Sequence, residues 1–211
     1  MRLRITFSKS GTLRYTGHLD LHTVLERTIR RAGLPLAYTQ GFHPGPRLQI
    51  ASALPLGIIG CAELVDIWLH ANQALDAGTA RDALQAGSPP GLGILSVEEV
   101  DEKSPALQRR VTSTEYRVTF LEPVDSAAIL AAVHELLEAE TILRERRGKP
   151  YDLRPLVEAL EVVQEKTGSV CLRMRLSVRE GATGRPEEVL AALRLENLSA
   201  RYERLHLVLG D

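Results

Sequence analysis

Residues 14–49 contain the side chains best suited to chemistry. His18 and His22 are four positions apart, so on a helix they would share one face, as paired metal ligands do. Tyr15 and His43 are candidates for a general acid or base, and imidazole titrates near neutral pH. A histidine pair more commonly caps or solvates the start of a helix. We therefore assign no metal and no catalytic residue, and keep His18, His43 and Tyr15 as candidates only.

An amphipathic helix with a basic outer face is predicted to position the first of these residues. Its apolar residues recur at steps of three and four, at Leu21, Val24, Leu25, Ile29 and Ala32. Arg27, Arg30 and Arg31 fall largely outside that stripe. Gly33 and Pro35 end the helix, because glycine suits a left-handed cap and proline cannot continue the hydrogen-bond ladder.

A loop of sequence TQGFHPGP, residues 39–46, follows the helix. Its two prolines and two glycines fix an irregular backbone, because proline restricts φ and glycine adopts conformations that other residues avoid. The loop presents Phe42 and His43, and Arg47 follows it. A ring, an imidazole and a guanidinium beside a rigid turn suit a polyanion or a nucleotide base. The alternative is an ordinary surface turn with Phe42 in the core.

Several stretches of the chain carry a resemblance to a known family: RLRITFSKSGTLRY, GHLDL, ERTIRRAGLPLAYTQGFHPGPRLQIASALPLG, YDLRP and RPEEVL. They resemble the radical-SAM-linked protein family, a bacterial domain of unknown function encoded next to, or fused behind, a radical SAM protein. The family motif runs close to S-H-L-D-L and then G-F-N-P-H-P. Here Gly17 replaces the serine, and His43 and Gly45 stand at the asparagine and histidine positions. The resemblance implies a radical SAM protein as a partner.

The composition is that of a globular protein, with 44% hydrophobic and 25% charged residues. The formal net charge of -1 argues against a basic nucleic-acid-binding tail, but the charge is unevenly distributed. Residues 1–50 carry eight basic side chains against two acids, whereas residues 51–108 carry two against eight. Positive charge is therefore concentrated in the part of the chain that holds the helix and the loop.

The cysteines exclude one reaction for this chain. Cys61 and Cys171 are too far apart for a C-x-x-C pair, and they do not resemble a disulfide framework. The C-x-x-x-C-x-x-C triplet of radical SAM enzymes is absent, so the chain is not itself the radical SAM catalyst. No apolar run has the length of a membrane span and the N-terminus lacks a signal-peptide pattern, so we expect a cytoplasmic protein without a membrane partner.

Periodicity predicts the order β-α-β-β-α-β twice. The first set has strands at residues 2–8, 36–54 (interrupted by the loop), 63–70 and 92–100, and helices at 19–32 and 72–86. After a polar linker at 101–108, the second set has strands at 116–120, 141–147, 170–176 and 202–209, and helices at 126–140 and from 185. We predict an α+β fold of two tandem ferredoxin-like modules with antiparallel sheets, residues 1–103 and 109–211.

In such a module the helices cover one side of the sheet and leave the other side open. The strand residues that alternate with the core would then be exposed: Arg2 and Arg4 in the first module, and Arg117, Cys171, Arg173, Arg175, Arg204 and His206 in the second. An arginine-rich face can follow a phosphate backbone. The alternative is that these arginines are ordinary solvated residues or partners of glutamates.

These patterns favour a non-catalytic RNA-binding or substrate-presenting module that acts with a radical SAM protein, for instance in RNA modification. Two alternatives stay open: a metal-independent RNA-processing endoribonuclease using His18 or His43, and a protein-interaction subunit without nucleic-acid contact. We expect no cofactor. The predicted RNA contacts are Arg2, Arg4, Arg27, Arg30, Arg31, Phe42, His43, Arg47, Arg173 and Arg175.

Overall fold

The computed structural model describes residues 1–70, 76–165, 168–179 and 182–210. These residues form two compact units, the first made of residues 1–111 with Gly210 and the second of residues 112–209. Both units combine helices with mainly antiparallel strands, which confirms the predicted α+β class. The units divide after Val111, so the predicted linker at residues 101–108 belongs to the first unit.

The first unit has the predicted alternation of strands and helices. Its elements are β1 (Arg2–Lys9), α1 (His18–Arg31), β2 (Leu48–Ile50), β3 (Ile59–Trp68), α2 (Ala77–Gly87), β4 (Leu92–Val100) and α3 (Leu107–Arg110), with a 3₁₀ turn at Gly11–Tyr15. The strands lie in the order β4-β1-β3-β2, and each neighbouring pair is antiparallel.

The core of the first unit lies between one face of this sheet and its helices. The buried residues that alternate along β1 are Leu3, Ile5 and Phe7. The stripe predicted for α1 packs into the same cluster, through Leu21, Leu25 and Ile29. Both elements were therefore predicted correctly, because each carries a clear apolar period of its own.

A left-handed glycine ends α1, as predicted. Gly33 has a φ of 69°, a conformation that favours glycine. Its N–H donates to the Arg30 carbonyl at 3.1 Å, and the Leu34 N–H donates to the Ile29 carbonyl at 3.3 Å. These are the two hydrogen bonds of a Schellman cap, and they fix the direction in which the chain leaves the helix.

The second strand is shorter than the sequence predicts. Leu36 and Tyr38 form isolated bridges to Leu69 and Pro46, and regular pairing begins only at β2. The proline-containing loop separates the two pieces, since proline has no N–H for a strand ladder. The predicted helix at 72–86 is present as α2, capped by Asp76, while residues 72–75 lie outside the described residues.

The second unit contains more strands than predicted. Its elements are β5 (Val111–Phe120), α4 (Ser126–Glu138), β6 (Leu143–Arg146), β7 (Lys149–Asp152), β8 (Val157–Gln164), β9 (Val170–Arg179), β10 (Ala182–Thr183), α5 (Pro186–Ala192) and β11 (Ala200–Leu209), with a 3₁₀ turn at Arg154–Leu156. The main strands lie in the order β11-β5-β9-β8, and β10 also pairs with β9.

The strand predicted at residues 141–147 is not part of this sheet. In the described part of the chain, β6 pairs with β7 in a separate two-stranded hairpin, and β8 takes the position beside β9. The reason is burial. β8 buries Val157 and Leu160, whereas β6 reads Leu-Arg-Glu-Arg and buries none of its four residues. A strand without an apolar face contributes nothing to a core.

Candidate nucleic-acid interface

Three arginines lie on the outer side of α1 near its C-terminus. Arg27, Arg30 and Arg31 are all exposed, as the off-stripe positions predict. Arg30 and Arg31 lie in the last turn, where a cation is attracted by the partial negative charge of the helix C-terminus. These two arginines therefore also have a local structural role. The Arg31 Nε donates to the Arg27 carbonyl at 3.4 Å. The result is a compact cationic surface carried by one rigid helix.

The loop after α1 has a closed neck. Tyr38 and Pro46 form a bridge, and the Thr39 N–H donates to the Gly45 carbonyl at 2.8 Å. The Gly45 N–H donates in turn to the Thr39 Oγ1 at 3.0 Å. The Tyr38 hydroxyl donates to the Glu26 Oε1 at 3.3 Å, which ties the neck to α1 beside its arginines. The loop and the basic end of the helix are therefore held together.

The tip of this loop extends into solvent. Phe42 has a relative exposure of 103%, and His43 is exposed beside it. The alternative in which Phe42 packs into the core is therefore wrong. A ring buried in the core would stabilise the fold by about 2 kcal/mol, whereas an exposed ring contributes none of this energy. Folding alone therefore does not explain an aromatic residue at this position.

Trp68 supports Arg47 at the base of the loop. The guanidinium carbons of Arg47 and of Arg2 each lie 4.9 Å from the centroid of the Trp68 ring. The backbone N–H of Trp68 also donates to the backbone carbonyl of Arg47 at 3.0 Å. The N-terminal ammonium, and more weakly Arg47, lower the pKa of the exposed Glu102. Arg47 is exposed, so it presents a positioned cation next to the loop.

Arg2 and Arg4 are not on an open face, contrary to the sequence-based prediction. Their relative exposures are 1% and 6%, and both bind the fully buried carboxylate of Asp66. The Arg2 Nη2 lies 2.6 Å from the Asp66 Oδ2, and the Arg4 Nε lies 2.9 Å from its Oδ1. Asp66 faces both arginines because β1 and β3 pair Arg2 with Trp68 and Arg4 with Asp66. Buried guanidinium groups engaged in this way cannot reach a phosphate.

The segment predicted as a linker helps to cover this pair. Arg2 donates to the carbonyls of Ser104 and Pro105 at 2.7 and 3.1 Å. The Leu107 N–H donates to the Gln49 Oε1 at 2.9 Å, and the Leu107 side chain is fully buried. The sheet face that a single module would leave open is therefore partly covered by the end of the first unit itself.

Glutamates neutralise much of the predicted arginine face in the second unit. The Arg175 Nε lies 3.0 Å from the Glu158 Oε2, and the Arg117 Nε lies 2.8 Å from the Glu203 Oε2. Arg173 is exposed. The alternative of ordinary arginine–glutamate pairs therefore accounts for Arg117 and Arg175, while Arg173 keeps an accessible guanidinium.

Two further residues of that face are buried. Cys171 and Arg204 have relative exposures of 0% and 1%, so the prediction that they are exposed is wrong. Burial raises the pKa of the Cys171 thiol, because desolvation disfavours the thiolate. The alternation of residues in β9 and β11 thus does not separate a buried face from a solvent-exposed face, since both faces of these strands carry buried residues.

None of the three candidates for acid–base chemistry is buried. Tyr15, His18 and His43 are all exposed, and the Tyr15 hydroxyl accepts a hydrogen bond from the Arg14 guanidinium. Across the described ranges, no group of three or more His, Cys, Asp or Glu residues is placed to hold a metal ion. The structure gives no geometric reason to assign any of these three a reaction.

Asp66 and Trp68 are the residues that sequence reasoning missed. The signal was present, because Asp66 and Trp68 repeat the two-residue spacing of Arg2 and Arg4 on strands that a ferredoxin-like order places side by side. Reading the two strands as a pair would have suggested that the arginines face a buried acid.

A comparison with protein families places the chain in a bacterial group. A family model described as "Uncharacterized protein conserved in bacteria (DUF2344)" matches residues 2–186. The chain belongs to this family. Its match includes every residue of the predicted RNA contacts, and it confirms the coarser part of the resemblance, a bacterial domain of unknown function.

Comparison with solved structures adds information on the fold of this DUF2344 protein. It is similar to a chain in the crystal structure of a Cbf5-Nop10-Gar1 complex, with a TM-score of 0.51 and 10% identity. The match covers 97% of this chain and 48% of that chain, so this protein spans about half its length. At this identity the likeness concerns the fold alone.

Two other comparisons carry no argument. A candidate glycine cleavage system transcriptional repressor gives a TM-score of 0.26 and 10% identity, with 99% of this chain and 98% of that chain covered. No curated protein sequence matches the chain.

In the part of the chain that the structure describes, no helix is both long enough and apolar enough to cross a membrane.

Proposed function

We propose that this chain is a non-catalytic RNA-binding module that presents an RNA substrate to a radical SAM protein in the bacterial cytoplasm. One observation carries the proposal: accessible cations and an accessible ring occur together in the first unit. Arg27, Arg30 and Arg31 on α1 and Phe42 and His43 at the loop tip are all exposed.

The chemistry of these groups suits single-stranded RNA. Guanidinium groups bind phosphate oxygens as hydrogen-bonded ion pairs, and an exposed aromatic ring stacks on a base, which contributes about 1–3 kcal/mol per base. Arg47, held against Trp68, would add a further cation at the base of the loop. Stacking requires an unpaired base, so single strands and loops are the expected ligands.

The revised set of contacts is smaller than the sequence-based set. Arg2 and Arg4 leave it because they are buried against Asp66, and Arg175 becomes secondary because Glu158 binds it. Arg173 remains in the set as an exposed residue of the second unit. The interface proposed for RNA therefore centres on α1, the loop and Arg47.

We also infer that the two units are tandem ferredoxin-like modules. If the main strands of each unit are counted along the chain, both sheets have the order fourth, first, third, second. The β6–β7 hairpin would then be an insertion between the first helix and the second main strand of the second module. This strand order is that of the split βαβ motif.

The radical SAM partner rests on the family resemblance. A specific observation also favours a protein-binding surface in the first unit, because five large apolar side chains there are exposed: Tyr15, Leu19, Phe42, Leu56 and Leu95. If these residues bind a protein and not RNA, the chain is an interaction subunit without nucleic-acid contact.

The salt dependence of RNA binding tests the proposal. We expect the affinity of the full chain for a labelled single-stranded RNA, measured by fluorescence anisotropy, to fall steeply as salt rises. In the Arg30→Ala/Arg31→Ala variant the slope of log Kd against log salt should decrease by about 1.4, because each lost phosphate contact removes about 0.7. The Arg81→Ala/Lys103→Ala variant removes two exposed cations elsewhere in the same unit and should keep the original slope.

Three outcomes would contradict the proposal or a part of it. Absence of RNA binding, together with direct binding of a radical SAM protein, would favour the interaction subunit. Equal slopes in both double variants would remove α1 from the interface. Site-limited cleavage of labelled RNA in EDTA that disappears in His18→Ala would replace the module with the endoribonuclease.

A further inference from the structure

The β6–β7 hairpin of the second unit carries positive charge on one face. Antiparallel pairing places Arg146 opposite Lys149, and Arg144 opposite Tyr151. Opposed residues in an antiparallel pair project to the same side of the ribbon, so these four side chains share one face. Glu145 and Pro150 form the neighbouring pair and point to the other side.

The turn of this hairpin adds another arginine at an unusual position. Arg147 and Gly148 have φ values of 53° and 74°, which is the pattern of a two-residue type I′ turn. This turn favours asparagine followed by glycine, and a longer side chain in the left-handed region costs about 1 kcal/mol. The turn therefore displays a guanidinium where folding alone would select a smaller residue.

The cationic face borders a cleft of about 410 Å³. Its lining residues are Arg146, Arg147, Lys149, Pro150, Tyr151, Leu156, Ala182 and Arg185. Arg146 is fixed in place, since its Nη1 and Nη2 each donate to the Thr183 carbonyl at 3.2 Å and its guanidinium lies 4.9 Å from the Tyr151 ring centroid. Four cations thus surround one cleft with an apolar floor.

These four cations lack acidic partners within the described residues. Glu188 is the nearby acid, and it pairs with Arg144 at 3.4 Å and lies close to the Tyr151 hydroxyl. None of the four lining cations has a carboxylate oxygen within 4.0 Å in the described ranges. The sheet of the same unit differs, because glutamates bind Arg117 and Arg175 there. Mutual repulsion of unpaired cations favours an anion in the cleft.

One polar atom at the cleft also lacks a hydrogen-bond partner. The Nε of Arg146 is buried and makes no hydrogen bond with another described group. Buried donors are normally satisfied, so this edge of the guanidinium is a second observation that points to a missing acceptor. It could donate to an oxygen atom of a bound group.

We propose that this cleft is a binding site for a phosphate-bearing ligand of nucleotide size. Arginine and lysine side chains around one cavity are the usual recognition groups for phosphate oxygens. The volume lies in the range of small-molecule sites, and Leu156 and Ala182 offer apolar surface to the remainder of the ligand. The phosphate can come from a free nucleotide or from a nucleotide within RNA. The site lies in the second unit and does not depend on the RNA interface of α1.

Titration of the full chain tests the site and identifies the source of the phosphate. The probes are ATP, inorganic phosphate and a short 5′-phosphorylated RNA, measured by calorimetry. We expect Lys149→Gln and Arg185→Gln each to weaken binding about tenfold, the loss of one charge-assisted contact. Binding of ATP would assign a free nucleotide. The RNA is titrated into the Arg30→Ala/Arg31→Ala variant, which lacks the α1 contacts, and RNA binding there without ATP binding would assign a strand.

Arg147→Asn is the decisive variant, because it separates binding from folding. Asparagine suits the left-handed turn, so thermal stability should stay equal or rise while affinity falls about tenfold. Arg201→Gln, an exposed arginine of the same unit away from the cleft, should leave affinity unchanged. The Arg30→Ala/Arg31→Ala variant should bind ATP normally. The proposal is overturned if no probe binds, or if Arg147→Asn and Arg201→Gln bind equally well.

Discussion

Phe42 is attached to the protein only through the backbone of its loop, because its side chain is fully exposed. Folding therefore does not require the ring, whereas stacking on a base would. We expect Phe42→Ala to change the free energy of unfolding by less than about 0.5 kcal/mol. The same variant should weaken RNA binding by roughly five- to one-hundred-fold, the value of one stacking contact.

The conservative variants make this prediction specific. Phe42→Tyr and Phe42→Trp keep a stacking ring and should retain affinity near that of the natural chain. If Phe42→Ala and Phe42→Trp bind RNA equally, the ring does not stack on a base and the loop contributes only its charges.

Asp66 supplies the negative charge that balances two buried arginines of the first unit. It accepts hydrogen bonds from both Arg2 and Arg4, and all three side chains are buried. Asp66→Asn would leave two buried guanidinium groups without a counter-charge. We expect the free energy of unfolding, measured with urea, to fall by about 3–5 kcal/mol.

An exposed pair in the same unit is the matched control for Asp66→Asn. The Arg81 Nη1 and the Asp82 Oδ1 are 2.9 Å apart, with side-chain exposures of 48% and 76%. Asp82→Asn should change stability by less than about 0.5 kcal/mol, because solvent screens an exposed pair. Similar losses in the two variants would mean that burial of Asp66 does not determine the strength of its interactions.

At the scale of elements, Gly17 offers a test of the helix that carries the basic residues. It is the N-cap of α1, with φ −70° and no side chain to accept the first N–H groups, and the motif that the chain resembles has serine here. Gly17→Ser should stabilise the protein by about 0.5 kcal/mol, since serine caps well and restricts the unfolded chain.

Gly33 at the other end of α1 should respond in the opposite direction. Its φ of 69° suits glycine, so Gly33→Ala should cost about 1 kcal/mol although open space surrounds the position. Urea unfolding of both variants gives the two signs. Stabilisation by both substitutions would contradict the expected cost of an alanine in the left-handed conformation at position 33.

The elements that the sequence predicted well are those with their own apolar period. The stripe of α1 identified the buried side, the glycine end and the exposed arginines correctly, because all three follow from local spacing. The β6–β7 hairpin escaped prediction because its strands are short and charged and have no buried face. The hairpin lies outside the main sheet because β8, which follows it in the sequence, occupies the position beside β9.

On the scale of the whole molecule, the exposed or buried state of the arginines could not be predicted from alternation alone. Alternation says which residues share a face, but not what covers that face. Arg2 is buried because residues 104–107 return to its side of the sheet, a contact with a sequence separation of more than one hundred residues. The hydrogen bonds that close the neck of the loop are local instead, because Thr39 and Gly45 are six positions apart.

The division of the chain into units gives a prediction about truncation. A fragment of residues 1–111 retains the carbonyls that bind Arg2 and the buried Leu107, whereas a fragment of residues 1–103 loses both. We expect the shorter fragment to be less stable by about 3 kcal/mol, from one buried leucine and two unsatisfied N–H groups. Thermal unfolding followed by circular dichroism would measure the difference; equal melting temperatures would assign residues 104–111 no role in this unit.

Trp68 is the only tryptophan of the chain. Its ring lies against the buried guanidinium of Arg2 and the exposed guanidinium of Arg47. The protein thus has a built-in optical reporter at the edge of its candidate interface. A ligand that draws Arg47 away from the indole would alter the emission of the native, unlabelled chain. Loss of Asp66 would disturb the same signal from the opposite side through Arg2, so a single spectrum can follow both occupancy and integrity of the first unit.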